Sequence, residues 1–222
     1  MKNFTYLIFI LLALVSCKEK NTESDIDIVE PEIQQEKMST DYVIAKKAGF
    51  EEWKSVKRVK FTFNADRSGK QMPPRKWTWE PKTEKVSLIS KGDTVIYNRN
   101  EKLDSLTVST DRAFINDVYW LLPYFKTQWD DGAHISFPDD QTMQVQYTGD
   151  GGYTPGDRYD LTFNEEKRIT SWDYYRAGSD QPAMTTSFEN YKNINGIHIA
   201  HDHKTPDGSL NIFFTDVEIF KD

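Results

Sequence analysis

The sequence reads RAFINDVYWLLPYF over residues 112–125, and this segment separates two series of strand-like patterns. Its apolar residues recur at spacings of three and four, as on one face of an α-helix: Phe114, Val118, Leu121, Leu122 and Phe125. We expect a helix that starts at Arg112, is capped by Asp111 and is kinked or ended by Pro123. Residues 99–111 are predicted to be a polar connection leading into it.

Segments on both sides of this helix alternate apolar and polar residues, the pattern of a half-buried strand. Val59, Phe61 and Phe63 alternate in this way, and Trp77 and Trp79 share one strand face. Further strands are predicted at 85–89, 94–97, 143–148, 158–163, 169–175, 184–191, 197–203 and 210–220. An apolar stripe over residues 41–55 predicts a short N-terminal helix. The predicted fold is therefore mainly β (α+β), a strongly curved antiparallel sheet with an N-terminal helix and a helical lid.

The N-terminus has the three parts of an export signal. Lys2 supplies a positive charge, residues 4–12 are almost entirely apolar, and the small residue Ser16 precedes Cys17. An export signal needs about 7 to 15 apolar residues, whereas a membrane-spanning helix needs about 20. Residues 1–16 are therefore predicted to be a signal peptide and not a spanning helix.

The segment Leu14-Val15-Ser16-Cys17 resembles the bacterial lipobox, a Leu-x-small-Cys pattern. The resemblance implies that Cys17 is acylated and becomes the first residue of the mature chain. Cys17 is also the only cysteine, and a secreted protein with one free thiol is otherwise unusual. We expect a lipoprotein of the cell envelope, anchored through this lipid to the outer membrane on its periplasmic or surface face.

Residues 17–40 are predicted to be the lipidated cysteine followed by a disordered acidic tether. Between residues 18 and 41 there are eight acidic residues and three lysines, and Pro31 interrupts any helix. A segment of this composition repels itself and buries too little apolar surface to fold. Residues 41–222 are then expected to form a single domain.

Composition limits the classes of partner. The net charge is −7, and it becomes −8 when residues 1–16, which contain Lys2, are removed. An acidic surface disfavours nucleic acid, whose affinity depends on Lys and Arg, so no nucleic-acid partner is expected. No Walker-type loop and no Gly-x-Gly-x-x-Gly before a helix occur in the sequence. We therefore predict no cofactor and no catalytic residues, and we expect a monomer.

Histidines near the C-terminus offer one candidate metal site. His201 and His203 share a strand face, whereas His198 points to the other. A metal site needs a third ligand from elsewhere in the chain. An enzyme with a metal site of this kind is one alternative for the function.

Aromatic residues concentrate around the predicted helix and one strand. The candidate ligand-binding residues are Trp77, Trp79, Tyr119, Trp120, Phe125 and Trp129. Such residues either fill the core under the helix or line an apolar cavity there, as a lipid site would require. Trp129 and Tyr153, if exposed, would instead suit a surface module for glycans or protein partners.

The order of elements resembles the LolA/LolB-like half-barrel fold, an open curved sheet closed by a helical lid over an apolar cavity. Members of that superfamily carry lipoprotein acyl chains or other lipids between membranes. Several motifs also resemble a family of uncharacterised secreted bacterial proteins: Trp53-x5-Val59-x-Phe61-x-Phe63, Arg75-x-Trp77-x-Trp79, Tyr97-Asn98-Arg99, Phe114-Ile115-Asn116-Asp117-x-Tyr119-Trp120-Leu121-Leu122-Pro123 and Gly152-Tyr153-Thr154-Pro155-Gly156-Asp157. The uncharacterised family has no assigned activity and leaves the function open. The LolA carrier is soluble, so with the predicted anchor the LolA/LolB-like resemblance implies a non-catalytic, membrane-anchored protein whose partner is a lipid or lipoprotein, bound between sheet and lid.

Overall fold

A computed structural model describes residues 38–148 and 153–222 of the chain. The predicted signal peptide, Cys17 and most of the predicted tether lie outside the described residues. So does the start of the glycine-rich segment before Tyr153. Among the described residues, no helix combines the length and the apolar character needed to cross a membrane.

Three α-helices and a 3₁₀ helix are described. The α-helices are α1 (Thr40–Lys47), α2 (Ser105–Leu121) and α3 (Pro123–Trp129), and the 3₁₀ helix spans Phe50–Ser55. The strands are β1 (Val56–Arg67), β2 (Lys70–Gln71), β3 (Arg75–Glu80), β4 (Lys85–Ser90), β5 (Asp93–Asn98), β6 (Ala133–Ser136), β7 (Thr142–Tyr147), β8 (Arg158–Phe163), β9 (Ile169–Tyr175), β10 (Met184–Ser187), β11 (Glu189–Ile194), β12 (Ile197–Lys204) and β13 (Leu210–Lys221).

The strands form two open antiparallel sheets. The first sheet has the order β11-β12-β13-β1-β3-β4-β5, with β2 paired to β1, and the second has the order β10-β9-β8-β7-β6. The predicted fold class, mainly antiparallel β with a few helices, is confirmed. The chain passes from the second sheet to the first at Phe188, between β10 and β11. Ser187 still accepts a hydrogen bond from the backbone N–H of Lys204 at 3.2 Å, so the two sheets meet there.

Strand β1 is the centre of the first sheet because it pairs with both β13 and β3. Its core-facing residues Val59 and Phe61 lie opposite Trp79 and Trp77 of β3. All four side chains are buried. The alternation seen in the sequence therefore marks the face of this sheet that lies under α2.

Gly49 divides the predicted N-terminal helix into α1 and the 3₁₀ helix. Its φ angle is +96°, and a Cβ at this position would collide with the carbonyl oxygen of Gly196. Only glycine combines this backbone conformation with such a close approach. The backbone N–H of His198 also bonds to the carbonyl of Ala48 at 2.9 Å, which joins the end of α1 to β12.

The predicted start of α2 is wrong by seven residues. The helix begins at Ser105, and Asp104 is its N-cap, accepting a hydrogen bond from the Thr107 backbone N–H at 2.8 Å. Its first turns are largely exposed and therefore lack an apolar stripe, as Leu106 illustrates. Asp111, expected to be the cap, is instead a buried residue within the helix. The predicted end is confirmed, because Pro123 is the first residue of α3.

The apolar stripe predicted over residues 114–125 is confirmed as core. Every one of its members is buried: Phe114, Val118, Leu121, Leu122 and Phe125. In the second half of the chain, two differences from the predictions concern short strands. Strand β6 was not predicted, and the single strand expected over residues 184–191 is divided between β10 and β11.

A buried ion pair holds α2 against the first sheet. Asp117 of α2 is fully buried, and Arg75 of β3 donates to both of its carboxylate oxygens, at 2.6 and 2.5 Å. The Trp77 indole N–H donates to the same carboxylate at 2.8 Å. Burial raises the pKa of Asp117, and the hydrogen bonds from Arg75 oppose this rise. These donors compensate the desolvation cost of the carboxylate.

We predict that Asp117→Asn lowers the free energy of unfolding by about 3 kcal/mol, because it breaks a buried pair and leaves its partners unsatisfied. Chemical denaturation of the variant and the parent chain measures the difference. Asp222→Asn is the matched control, since Asp222 forms an exposed ion pair with Lys82 and its loss is expected to have no measurable effect. Equal effects of the two substitutions would contradict a central role for Asp117.

Candidate functional site

A cavity of about 670 Å³ lies between α2 and the second sheet. Helix α3, strands β7 to β10 and the segment 153–157 complete its walls. Among the described residues that line it, seven are aromatic: Tyr119, Trp120, Tyr147, Tyr153, Tyr159, Trp172 and Tyr174. The volume is within the range of about 300 to 1,000 Å³ that is usual for small-molecule sites.

The aromatic wall is built by the register of β8 and β9 facing α2. Tyr159 lies opposite Tyr174, and Leu161 lies opposite Trp172. These two cross-strand pairs share the face of the sheet that α2 covers. Tyr119 of α2 packs on these pairs, with its ring centroid 4.6 Å from Tyr159 and 5.3 Å from Trp172. Contacts at these distances hold the rings in fixed orientations and leave a largely aromatic surface.

Around the cavity, three tyrosine hydroxyls donate hydrogen bonds to aspartate carboxylates. Tyr153 donates to Asp111 at 2.8 Å, Tyr147 to Asp130 at 2.9 Å, and Tyr174 to Asp157 at 2.8 Å. Burial and, next, the hydrogen bond to Asp111 raise the pKa of Tyr153 to about 12. The pKa of Tyr147 is raised as well, chiefly by burial. These hydroxyls are therefore protonated donors at neutral pH.

Asp111 is the point where four parts of the chain meet. The Arg99 Nε donates to it at 2.8 Å, and the Tyr97 hydroxyl at 3.1 Å. Arg99 also donates to Glu84 at 2.9 Å. Together with Tyr153, these contacts attach the middle of α2 to the end of β5, the β3–β4 turn and the segment that follows β7.

The other cations that line the cavity differ in exposure. Arg112 is exposed, and its guanidinium lies 5.1 Å from the Tyr153 ring centroid. Lys126 is buried, with its Nζ 2.6 Å from Asp130. The described lining thus contains three cations and three carboxylates, which balance in formal charge.

The predicted ligand-binding residues fall into two groups. Tyr119 and Trp120 line the cavity. Trp77 and Trp79 pack on the first sheet against Phe114 of α2, each with a centroid distance of 5.4 Å. Phe125 and Trp129 pack against Trp53, at centroid distances of 5.7 and 4.8 Å. These four side chains belong to the core between α2, α3 and the first sheet and lie outside the cavity lining.

Sequence reasoning missed the aromatic residues that the second sheet contributes. Tyr159, Trp172 and Tyr174 lie on strands that were predicted correctly, and Trp172 and Tyr174 have the spacing of residues on one strand face. This spacing was the available signal. The spacing alone does not predict a cavity, because the sequence does not show which helix covers that strand face.

The residues suggested for a surface module lie in separate clusters. Trp129 is half-buried and tilted against Trp53 and Phe50. Tyr153 is at the cavity, bonded to Asp111. The two rings do not form one exposed aromatic surface.

The histidines suggested for a metal site are core residues of β12. His203 is fully buried, and its ring lies 4.3 Å from Phe188 and 5.3 Å from Trp120 between centroids. His201 bonds through Nδ1 to the Phe214 carbonyl at 3.2 Å. Within residues 38–148 and 153–222, no group of three or more His, Cys, Asp or Glu side chains is arranged to hold a metal ion.

Acid should destabilise the fold through His203. Desolvation lowers the pKa of His203 from 6.5 to about 3, so between these values the unfolded chain binds a proton that the folded chain does not. The free energy of unfolding therefore falls as the pH drops below 6.5, by about 3 kcal/mol at pH 4.5 from this residue.

We predict that His203→Phe removes this part of the acid sensitivity, because a phenyl ring fits the same aromatic surroundings and does not titrate. Unfolding by urea at pH 7.5 and pH 4.5 compares the two chains. If both lose the same stability between the two pH values, His203 is not the group responsible.

No protein-family model and no curated protein matches the chain. Among solved structures, it is similar to a DUF1329 family protein from Desulfovibrio piger, with 13% identity and a TM-score of 0.42, over 81% of this chain and 91% of that chain. It is also similar to a LolA superfamily protein from Nitrosomonas europaea, with 12% identity and a TM-score of 0.46, over 83% of this chain and 95% of that chain. Neither likeness, at a TM-score below 0.5, bears on ligand or activity.

Proposed function

We propose that this chain is a non-catalytic binding protein that holds a hydrophobic ligand, a lipid or acyl chain, between α2 and the second sheet. The observation that carries the proposal is the 670 Å³ cavity with its aromatic walls. It lies beneath the helix that the sequence suggested as a lid. Burial of apolar ligand surface there contributes about 25 cal/mol per Å² before the costs of binding are subtracted.

The polar groups of the walls favour an apolar ligand. The hydroxyls of Tyr147, Tyr153 and Tyr174 are already bonded to aspartates. What these residues can offer a ligand is therefore mainly ring surface. A ligand with many hydroxyls would have to compete with these internal hydrogen bonds, whereas an apolar chain would leave them intact.

The same hydrogen bonds favour binding over catalysis. A catalytic carboxylate must be able to reach the reacting atoms and exchange a proton or attack them. Asp111 is held by Arg99, Tyr97 and Tyr153, and Asp157 by Tyr174 and the backbone N–H of Ala177. Both carboxylates are committed to holding the walls together.

We also propose that the chain is anchored in the cell envelope through acylated Cys17, on the outer membrane. The proposal rests on the lipobox-like segment Leu14-Val15-Ser16-Cys17 and on Cys17 being the only cysteine. The acidic segment that follows would act as a tether, so that the cavity can reach a ligand away from the bilayer surface.

We predict that Ile115→Trp reduces the lipid that co-purifies with the full chain by at least about tenfold, because the indole would fill a cavity that Ile115 lines. Organic extraction followed by mass spectrometry measures the lipid bound per chain. Ile96→Trp is the matched control, since Ile96 is 60% exposed on β5 and does not line the cavity.

Retention of lipid by Ile115→Trp at the level of the control would contradict binding in this cavity. Titration with a soluble oligosaccharide such as maltohexaose tests the alternative of a glycan-binding module. Saturable binding of the oligosaccharide, with no lipid bound by the parent chain, would overturn the proposed function.

We predict that Cys17→Ser abolishes incorporation of a clickable palmitate analogue and releases the chain from the membrane fraction of the producing bacterium. The sulfur of Cys17 is the only thiol in the chain that can be acylated. In-gel fluorescence and fractionation provide the two measurements. Labelling that persists in Cys17→Ser would show that the lipid is attached elsewhere.

A further inference from the structure

Lys126 is a buried cation in a cavity with aromatic walls. It lies on α3 and lines the cavity, and its side chain is only 8% exposed. Asp130, one helical turn later, is 2.6 Å away, and it is the one ion-pair partner of Lys126 among the described residues. An ammonium group has three N–H donors. A buried charge of this kind is stabilised when its remaining donors also find acceptors.

Two other residues of the cavity lining use their donors within the protein. Tyr147 donates its hydroxyl to the second oxygen of Asp130, at 2.9 Å. Arg99 is bonded to Asp111 and Glu84. Lys126 is therefore the one buried cation of the described lining, and its ammonium has donors to offer a ligand, as does the indole N–H of buried Trp172.

The charge balance of the lining indicates which acceptor suits Lys126. Asp130 neutralises Lys126, and the described lining as a whole has three cations and three carboxylates. A ligand carboxylate at Lys126 would add a negative charge that Lys126, already paired with Asp130, does not compensate, and the lining cation without an ion pair among the described residues, Arg112, is exposed. A carbonyl oxygen accepts the same hydrogen bonds without adding a charge.

We propose that Lys126 recognises the uncharged ester or amide carbonyl of an acylated ligand, whose hydrocarbon part packs against Tyr119, Tyr159 and Trp172. The inference rests on the proposed function and makes it more specific. The cavity selects acyl chains that are esterified or amidated and discriminates against free fatty acids. The ligand is thus taken from a glycerolipid or an N-acylated chain, and not from the pool of free acid.

Three probes of equal chain length test this selection by isothermal titration calorimetry on the full chain: methyl decanoate, N-methyldecanamide and decanoate at pH 7.5. We expect the ester or the amide to bind roughly tenfold more tightly than the acid, the effect of one uncompensated charge, since all three probes can accept the hydrogen bond from Lys126. The tighter of the two uncharged probes indicates a glycerolipid source if it is the ester and an N-acyl source if it is the amide.

The double variant Lys126→Met/Asp130→Asn removes the donor without leaving a buried carboxylate unpaired. Asparagine at position 130 can still accept the Tyr147 hydrogen bond through its carbonyl oxygen. We expect this variant to bind the ester and the amide roughly tenfold more weakly, with decanoate still the weakest of the three probes, because the described lining remains balanced at two cations and two carboxylates. Lys47→Met, at an exposed position on α1, is the control and should bind like the parent chain.

The possible failures are distinguishable. If none of the three probes binds the parent chain, the proposed function itself is overturned. If they bind but decanoate binds as tightly as the ester and the amide, or if the double variant keeps the parent affinity and melting temperature, the role of Lys126 is overturned and hydrophobic binding stands.

Discussion

The buried carboxylate of Asp117 is the constraint on which the arrangement of the domain depends. A desolvated carboxylate is costly unless donors surround it, and two of its donors, Arg75 and Trp77, come from β3 of the first sheet. They fix the rotation and height of α2 over that sheet. Phe114 and Val118 are then buried, and the opposite side of the helix, with Ile115 and Tyr119, lines the cavity against the second sheet.

Helix α2 therefore belongs to the core and to the candidate site at once. Asp111, six residues before Asp117, is bound by a second arginine, Arg99, and by two tyrosine hydroxyls. With both carboxylates anchored, the helix is a fixed wall and its aromatic residues are held in place before any ligand arrives. Such preorganisation lowers the entropic cost of binding.

Some elements could be predicted from local patterns, and others could not. The stripe from Phe114 to Phe125 and the end of α2 shortly before Pro123 follow from spacing and backbone chemistry. The start of α2 could not be predicted from spacing, because its first turns are exposed. Aspartate is a residue type typical of helix caps, but Asp111 is buried within the helix and is bonded to Arg99. The division between β10 and β11 at Phe188 leaves no mark in the alternation of the sequence.

The sequence by itself determined which residues share a face, where helices and turns interrupt the strands, and that the segment Leu14-Val15-Ser16-Cys17 resembles a lipobox. These are local properties, set by backbone periodicity and neighbouring residues. Only the tertiary structure decided that Trp77 and Trp79 fill the core while Tyr159 and Trp172 face the cavity. Both pairs consist of aromatic residues on strands in which apolar and polar residues alternate. Their roles differ because β3 belongs to the first sheet, whereas β8 and β9 belong to the second. Sheet membership depends on pairing between segments that are far apart in the sequence, and no local pattern encodes it.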